Sequence, residues 1–225
     1  MTAKSILVGA TGASGFPVLI RVLELIRRDP AWSAGLILTE AAKLTLAQET
    51  DLTVEALCGL ADRVYDSGDL GAGPASGSFE NAGMVIVPCS MKTLAGIHAG
   101  YAENLLLRAA DVTIKEQRPL VLGVRECPLS PIHLRNMQEL SMIPGVHITP
   151  LMMNFYTRPK TLDEMVTQVA CRLLTPFGIS PGKFRRWNAV QSDVIFGQLL
   201  PRQEGQEDVT SRHKGNGTGH SEQAC

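Results

Sequence analysis

An arginine and a glutamate stand side by side where an apolar run ends, in Val124-Arg125-Glu126-Cys127-Pro128. Leu120–Val124 has the length and composition of a buried strand, and Ser130–Ser141 shows helical spacing. In an open α/β sheet, ligands bind at the carboxyl ends of strands. Arg125 offers a planar fork for phosphate there, and Glu126 a carboxyl able to move a proton to a departing oxygen. The same two residues also read as a surface ion pair in a turn.

Other residues bear on that choice. Gly9-Ala10-Thr11-Gly12-Ala13-Ser14-Gly15 joins an apolar run, Ser5–Ala10, to helical spacing over Phe16–Arg28. Its glycines are spaced G-x-x-G-x-x-G, not as the G-x-G-x-x-G of dinucleotide sites, and Leu38-Thr39-Glu40 places no acid for a ribose. The turn is either a ligand loop, offering helix N–H groups to an anion and suiting FMN better than NAD, or a close packing of helix on strand. Pro88-Cys89-Ser90-Met91-Lys92-Thr93 also leads from strand to helix, with Ser90 and Thr93 as helix caps or as donors to a phosphate or ribityl chain. Two such ends in one sheet favour a shared crevice.

A third group is charged. Arg108, Lys115, Arg172 and the phenol of Tyr156 suit a small phosphate or pyrophosphate, whose departing oxygen such cations stabilise. Arg118 and Arg158 read as solvated charges. Glu49 closes a helix, where a carboxylate opposes the macrodipole, a mildly unfavourable placement that hints at function. His98, His133 and His147 lack ligand spacing and read as structural, and no hydrolase nucleophile elbow is present.

The elements that must position these residues alternate. Strands are predicted at Ser5–Ala10, Gly35–Thr39, Gly83–Pro88, Leu120–Val124 and His147–Pro150. Helices are predicted at Phe16–Arg28, Glu40–Glu49, about Thr93 to Ala110, Ser130–Ser141 and Leu162–Leu174. Asp51–Leu70 reads as a helix and a short strand, and Gly71–Ser78 as a small-residue loop. This order implies an α/β fold with a parallel sheet covered on both faces. One domain is expected over residues 1–200, followed by a polar, disordered tail at 201–225.

The chain has 225 residues, 44% of them hydrophobic, and a net charge of −1, which fits one soluble domain with a substantial core. That balance argues against nucleic acid or an anionic membrane as the main partner. No run approaches the roughly 18 apolar residues of a membrane helix. Cys58, Cys89, Cys127, Cys171 and Cys225 are widely spaced, without C-x-x-C, as reduced thiols are, and no zinc site is expected. With no signal peptide read at the start, the expected compartment is the cytoplasm.

Taken in order, several motifs resemble the UbiX-type flavin prenyltransferases. They are Thr11-Gly12-Ala13-Ser14-Gly15, Glu49-Thr50, Ala75-Ser76-Gly77-Ser78, Pro88 to Leu94, Arg108 to Val112, Arg118 to Leu122, Arg125-Glu126 with Pro128-Leu129-Ser130, Ile132 to Met137, and Phe155-Tyr156. The similarity runs from about residue 4 to Trp187. It implies a flavodoxin-like (Rossmann-like), three-layer fold. It also implies transfer of a dimethylallyl group from its phosphate ester to N5 and C6 of reduced FMN, without a metal, for a UbiD-type decarboxylase.

By the same resemblance Gly12, Ala13, Ser14, Thr39, Ser90, Met91, Lys92, Thr93 and Arg125 contact FMN. Lys115, Tyr156 and Arg172 bind the prenyl phosphate, with Arg108 assisting from a neighbouring subunit. Glu126 protonates the leaving phosphate and later accepts a proton, Glu49 lies beside the reacting flavin edge, and Ser14 joins these two as catalytic. Trp187 shields the prenyl group with its π face. A homo-oligomer, a dodecamer, with sites at subunit contacts is implied. Cys127 and the loop Ser141–Val146 depart from the family pattern. Two other readings remain: a non-catalytic flavin-binding small subunit of a hydroxyarylic acid decarboxylase complex, and a flavin-dependent cysteine decarboxylase. The latter is disfavoured because His98 is not placed in that family's motif.

Overall fold

The computed structural model describes residues 3–179 and 184. The apolar runs become strands β1 (Lys4–Ala10), β2 (Trp32–Leu38), β3 (Arg63–Asp66), β4 (Met84–Cys89), β5 (Leu120–Val124) and β6 (Val146–Ile148). Between and after them lie α1 (Phe16–Arg27), α2 (Glu40–Glu49), α3 (Val54–Cys58), α4 (Met91–His98), α5 (Leu105–Lys115), α6 (Pro131–Ser141) and α7 (Leu162–Leu174). The strands pair in parallel in the order β3-β2-β1-β4-β5-β6. The order reverses between β1 and β4, so successive crossovers diverge there and leave a crevice at the carboxyl ends of those strands.

Alternate strand residues feed two cores, as a two-residue period requires. Ile6, Val8, Leu36 and Val85 meet α1 and α7, while Leu7, Ile37, Met84 and Ile86 meet α4 and α5. This is the expected three-layer arrangement. On α1 the fully buried residues Phe16, Leu19, Leu23 and Ile26 recur at helical spacing. Each such side chain contributes roughly 1.5–3 kcal/mol by leaving water.

Three elements differ from the sequence reading. The helix expected from about Thr93 to Ala110 is two helices, α4 and α5. Gly100 adopts φ 64 after Ala99, and Asn104 restarts the chain by capping Leu107 N–H at 3.0 Å. Apolar spacing continues across this break, which is why it reads as one helix. Lys115, taken as opening the next segment, is the last residue of α5. Arg118 is no solvated charge. Its guanidinium donates to the carbonyls of Phe79 and Gly77, at 2.9 Å each, and so pins the small-residue loop beside α5.

That pin has a measurable consequence. Arg118→Ala leaves two loop carbonyls without their donor and is expected to destabilise the protein by about 1–2 kcal/mol. Arg118→Lys restores less than the full loss, because an ammonium lacks the fork geometry. Urea unfolding of the three proteins checks this; parent-like stability in Arg118→Ala would refute the pin.

Candidate functional site

At the crevice the chain leaves a cleft of about 560 Å³. One wall comes from the Thr11-Gly12 turn and the first residues of α2 and α4; the other from the α4–α5 connection, including Tyr101 and Asn104. Gly12 is required where the turn meets α2, since a Cβ there would lie 2.6 Å from the Ala41 Cβ. One wall therefore carries hydroxyls and helix-start N–H groups, and the other an aromatic ring and Leu107. Such a cleft suits a ligand with a flat ring and a polyol phosphate chain.

The hydroxyls are already partly committed. Thr39 Oγ1 donates to the Ala10 carbonyl (3.3 Å) and caps α2 by accepting Ala42 N–H (3.2 Å), so it meets a ligand only as an acceptor. Ser90 Oγ caps α4 by accepting Thr93 N–H (3.3 Å) and donates to Thr93 Oγ1 (3.1 Å). The Thr93 proton is left for a ligand. Met91 is buried in the core on the α4–α5 side of the sheet, off the cleft lining, whereas Lys92 lines the cleft. The Lys92 ammonium pairs with Glu103 at 3.3 Å, joining the start of α4 to the α4–α5 connection.

The first turn of α1, read as either a ligand loop or a close packing of helix on strand, has its N–H groups taken up within the protein. Gly15 and Phe16 N–H both donate to Glu49 Oε2 at 2.9 Å. Pro17 has no N–H, and Val18 N–H donates to the Gly15 carbonyl at 3.0 Å. The N–H groups of Gly15, Phe16 and Val18 are therefore already committed within the protein. Glu49 opposes the dipole of its own helix but complements that of its neighbour, which resolves its odd placement. Partial burial disfavours its charge. Hydrogen bonds from the Ser14 side chain and the Gly15 and Phe16 N–H groups, with the Arg125 charge, outweigh that and hold its pKa below the usual value.

The Arg125 charge thus favours the Glu49 carboxylate, although among the described residues the two form no ion pair within 4 Å. The Arg125 N–H donates to the Cys89 carbonyl at 3.2 Å, drawing the ends of β4 and β5 together. Among the described residues Arg125 and Glu126 form no ion pair with each other, so the surface-pair reading fails. Glu126 is exposed, and its Oε1 accepts Cys127 N–H at 3.0 Å. Ser14, Glu49 and Arg125 thus gather at one sheet edge with Glu126 alongside. Leu151 closes on Gly15, where an added Cβ would lie 2.8 Å from its Cδ1.

The residues read as phosphate binders do not gather in one protomer. Tyr156 follows β6 at the carboxyl side of the sheet and is 76% exposed. Arg108 donates to the Ala75 carbonyl (3.1 Å) and pairs with Asp111 (2.6 Å). Lys115 pairs with Glu116 at the far end of α5, roughly 15 Å along the axis from Leu105. Arg172 lies near the end of α7, just before Phe177, which reaches Gly83 at the amino end of β4. Trp187 and the tail at 201–225 lie outside the described residues.

The remaining candidates are structural. His133 completes the capping box of α6, and His98 pairs with Glu139 at 2.6 Å. Burial pushes the Cys89 thiol up to about 12, which makes it inert. Among the described residues no three His, Cys, Asp or Glu side chains are grouped to hold a metal, and no helix is long and apolar enough to cross a membrane. The sequence reading did not single out Thr11 or the α4–α5 connection; for the latter, Gly100 was the available signal.

Residues 1–196 match the Flavoprotein family model. A probable UbiX-like flavin prenyltransferase from Sedimentibacter hydroxybenzoicus is 44% identical over 188 residues, covering 84% of this chain and 99% of that protein. The crystal structure of AnUbiX in complex with FMN and dimethylallyl pyrophosphate matches with a TM-score of 0.81 and 42% identity, covering 83% of this chain and 98% of that one. A dodecameric FMN-dependent UbiX-like decarboxylase from Escherichia coli O157:H7 matches with a TM-score of 0.80 and 45% identity, covering 82% and 99%. With its strand order, its cleft and these relatives, the chain belongs to the flavoproteins and, among them, to the UbiX-like flavin prenyltransferases.

Proposed function

We propose that this protein transfers a dimethylallyl group from its phosphate ester to N5 and C6 of reduced FMN, and that the prenylated flavin serves a UbiD-type decarboxylase. The observation that carries this reading is a donor-lined cleft at the carboxyl end of the parallel sheet, the same end at which Ser14, Glu49, Arg125 and Glu126 stand outside the cleft lining. The reduced flavin supplies the nucleophilic positions that take up the prenyl carbon.

The chain's own residues do the rest. Gly12 and Ala13 let the turn approach the flavin closely, and Thr93 with the Lys92 N–H group donates to its polar chain. Ser90 and Thr39 hold those groups in place and accept from it. Arg125, balanced by Glu49, sets a positive potential at the ring. Glu126 delivers a proton to the phosphate oxygen as its bond to the prenyl carbon breaks, and afterwards takes one back. Ser14 and Glu49 keep that edge fixed.

Arg108, Lys115, Tyr156 and Arg172 bind the prenyl phosphate. Lys115 and Arg172 lie at the far ends of their helices, so they serve the site of a neighbouring copy, and a homo-oligomer follows. The dodecameric assembly of the relative from Escherichia coli O157:H7 supports that arrangement. Among the described residues Cys58, Cys89 and Cys127 are unbridged thiols, which supports a cytoplasmic setting.

The test is anaerobic incubation of the protein with reduced FMN and dimethylallyl monophosphate, then with the pyrophosphate. Mass spectrometry should show flavin enlarged by one five-carbon prenyl unit. Flavin bound but recovered unchanged with both donors would defeat the transferase and leave a passive flavin carrier.

A further inference from the structure

Thr11 has no place among the flavin contacts above, yet its side chain ties together the two strand ends that carry them. It is 2% exposed, one residue beyond β1. The β1–β4 ladder runs from Leu7 opposite Met84 to Gly9 opposite Ile86. Past it, Thr11 N–H reaches the Pro88 carbonyl at 3.2 Å. Thr11 Oγ1 donates to the same carbonyl at 2.8 Å and accepts Ser90 N–H at 2.8 Å.

Both hydrogen-bonding capacities of this hydroxyl therefore act at the junction. Ser90 is the next member of the chain, passing its own proton to Thr93. We propose that Thr11 is a positioning residue for flavin binding, acting through Ser90 to set the hydroxyls that face the cleft. This rests on the reading of Ser90 and Thr93 as flavin contacts. Apolar packing alone would be served equally by valine, which has the same shape. Valine leaves Ser90 N–H without its acceptor, so that the start of α4 is no longer referenced to β1.

The test compares FMN dissociation constants, by quenching of flavin fluorescence, for Thr11→Val, Thr11→Ser, Ser90→Ala and the Thr11→Val/Ser90→Ala pair. Thr11→Val should weaken FMN about tenfold, while Thr11→Ser stays within about twofold of the parent. The KM for dimethylallyl phosphate at saturating FMN should not move. In the Ser90→Ala background the loss from Thr11→Val should be smaller than in the parent, because the Ser90 hydroxyl it positions is gone while the backbone N–H it accepts remains. Should Thr11→Val not fold, Thr11→Ala carries the same expectation.

Parent-like FMN binding by Thr11→Val, with Ser90→Ala weakened, overturns the role of Thr11 alone. Fully additive losses in the double variant, or a Thr11→Ser loss as large as that of Thr11→Val, overturn it too, by making Thr11 a general packing residue. Parent-like binding by Ser90→Ala removes the contact beneath it and overturns both readings.

Discussion

Glu126→Gln is expected to bind FMN as tightly as the parent while forming prenylated flavin about 10²–10⁴-fold more slowly. The amide keeps the shape of the side chain and an oxygen for the Cys127 N–H, which Glu126 Oε1 accepts at 3.0 Å. Arg125 and the nearby Glu49 are untouched. What disappears is the proton for the departing phosphate oxygen. Single-turnover experiments under anaerobic conditions, begun from the protein–FMN complex, separate binding from transfer. Parent-like transfer in this variant would remove Glu126 as the proton carrier, while lost FMN binding would move it to the flavin contacts.

Glu49→Ala should reduce stability and turnover together. Gly15 and Phe16 N–H lose the acceptor they share at 2.9 Å, and α1 loses the negative charge at its start. Two uncapped donors at a partly buried helix end cost about 1–3 kcal/mol. The Arg125 charge also loses the nearby carboxylate that offsets it, so the potential at that edge becomes more positive. The pH dependence follows from the lowered pKa of Glu49. A carboxylate with a folded pKa below its unfolded value of about 4.5 contributes its full stabilisation above that value and loses it as pH falls through the folded one. The parent should therefore lose stability in that acid window more steeply than Glu49→Gln, which has no charge there to protonate. Urea unfolding at neutral pH and through the acid window tests both points. Equal acid slopes would detach the pKa from the cap, and a parent-like Glu49→Ala would refute the cap itself.

Much of the frame was legible because its signals are local. Glu40–Glu49, Leu120–Val124 and Leu162–Leu174 were read with the boundaries they have, since cap residues, β-branched runs and helical spacing lie within each segment. The break before α5 was missed because Gly100 and Asn104 interrupt an apolar pattern without altering its phase. The site was legible only in part, for a different reason. The Ser90–Thr93 cap is local and was read, whereas the partners of Glu49 are 33 and 34 residues away along the chain. Arg118 looked solvated for the same cause, its carbonyl partners lying 39 and 41 residues back. Such bonds exist only once the sheet has brought separate turns together, so the sequence left two turns open as anion binders and could not tell that Glu49 takes the N–H groups of one of them.

The Thr93 hydroxyl and the opening N–H groups of α4 form a wall of neutral donors. Its attraction for an acceptor-rich chain comes from fixed dipoles at contact distance, which dissolved ions screen poorly and which do not titrate near neutrality. The cations Lys115 and Arg172 are exposed, and Arg108 is partly so, so dissolved salt competes for them directly. On the proposed assignment the two halves of the chemistry answer differently to the medium: flavin binding should weaken less with added salt than prenyl phosphate binding does.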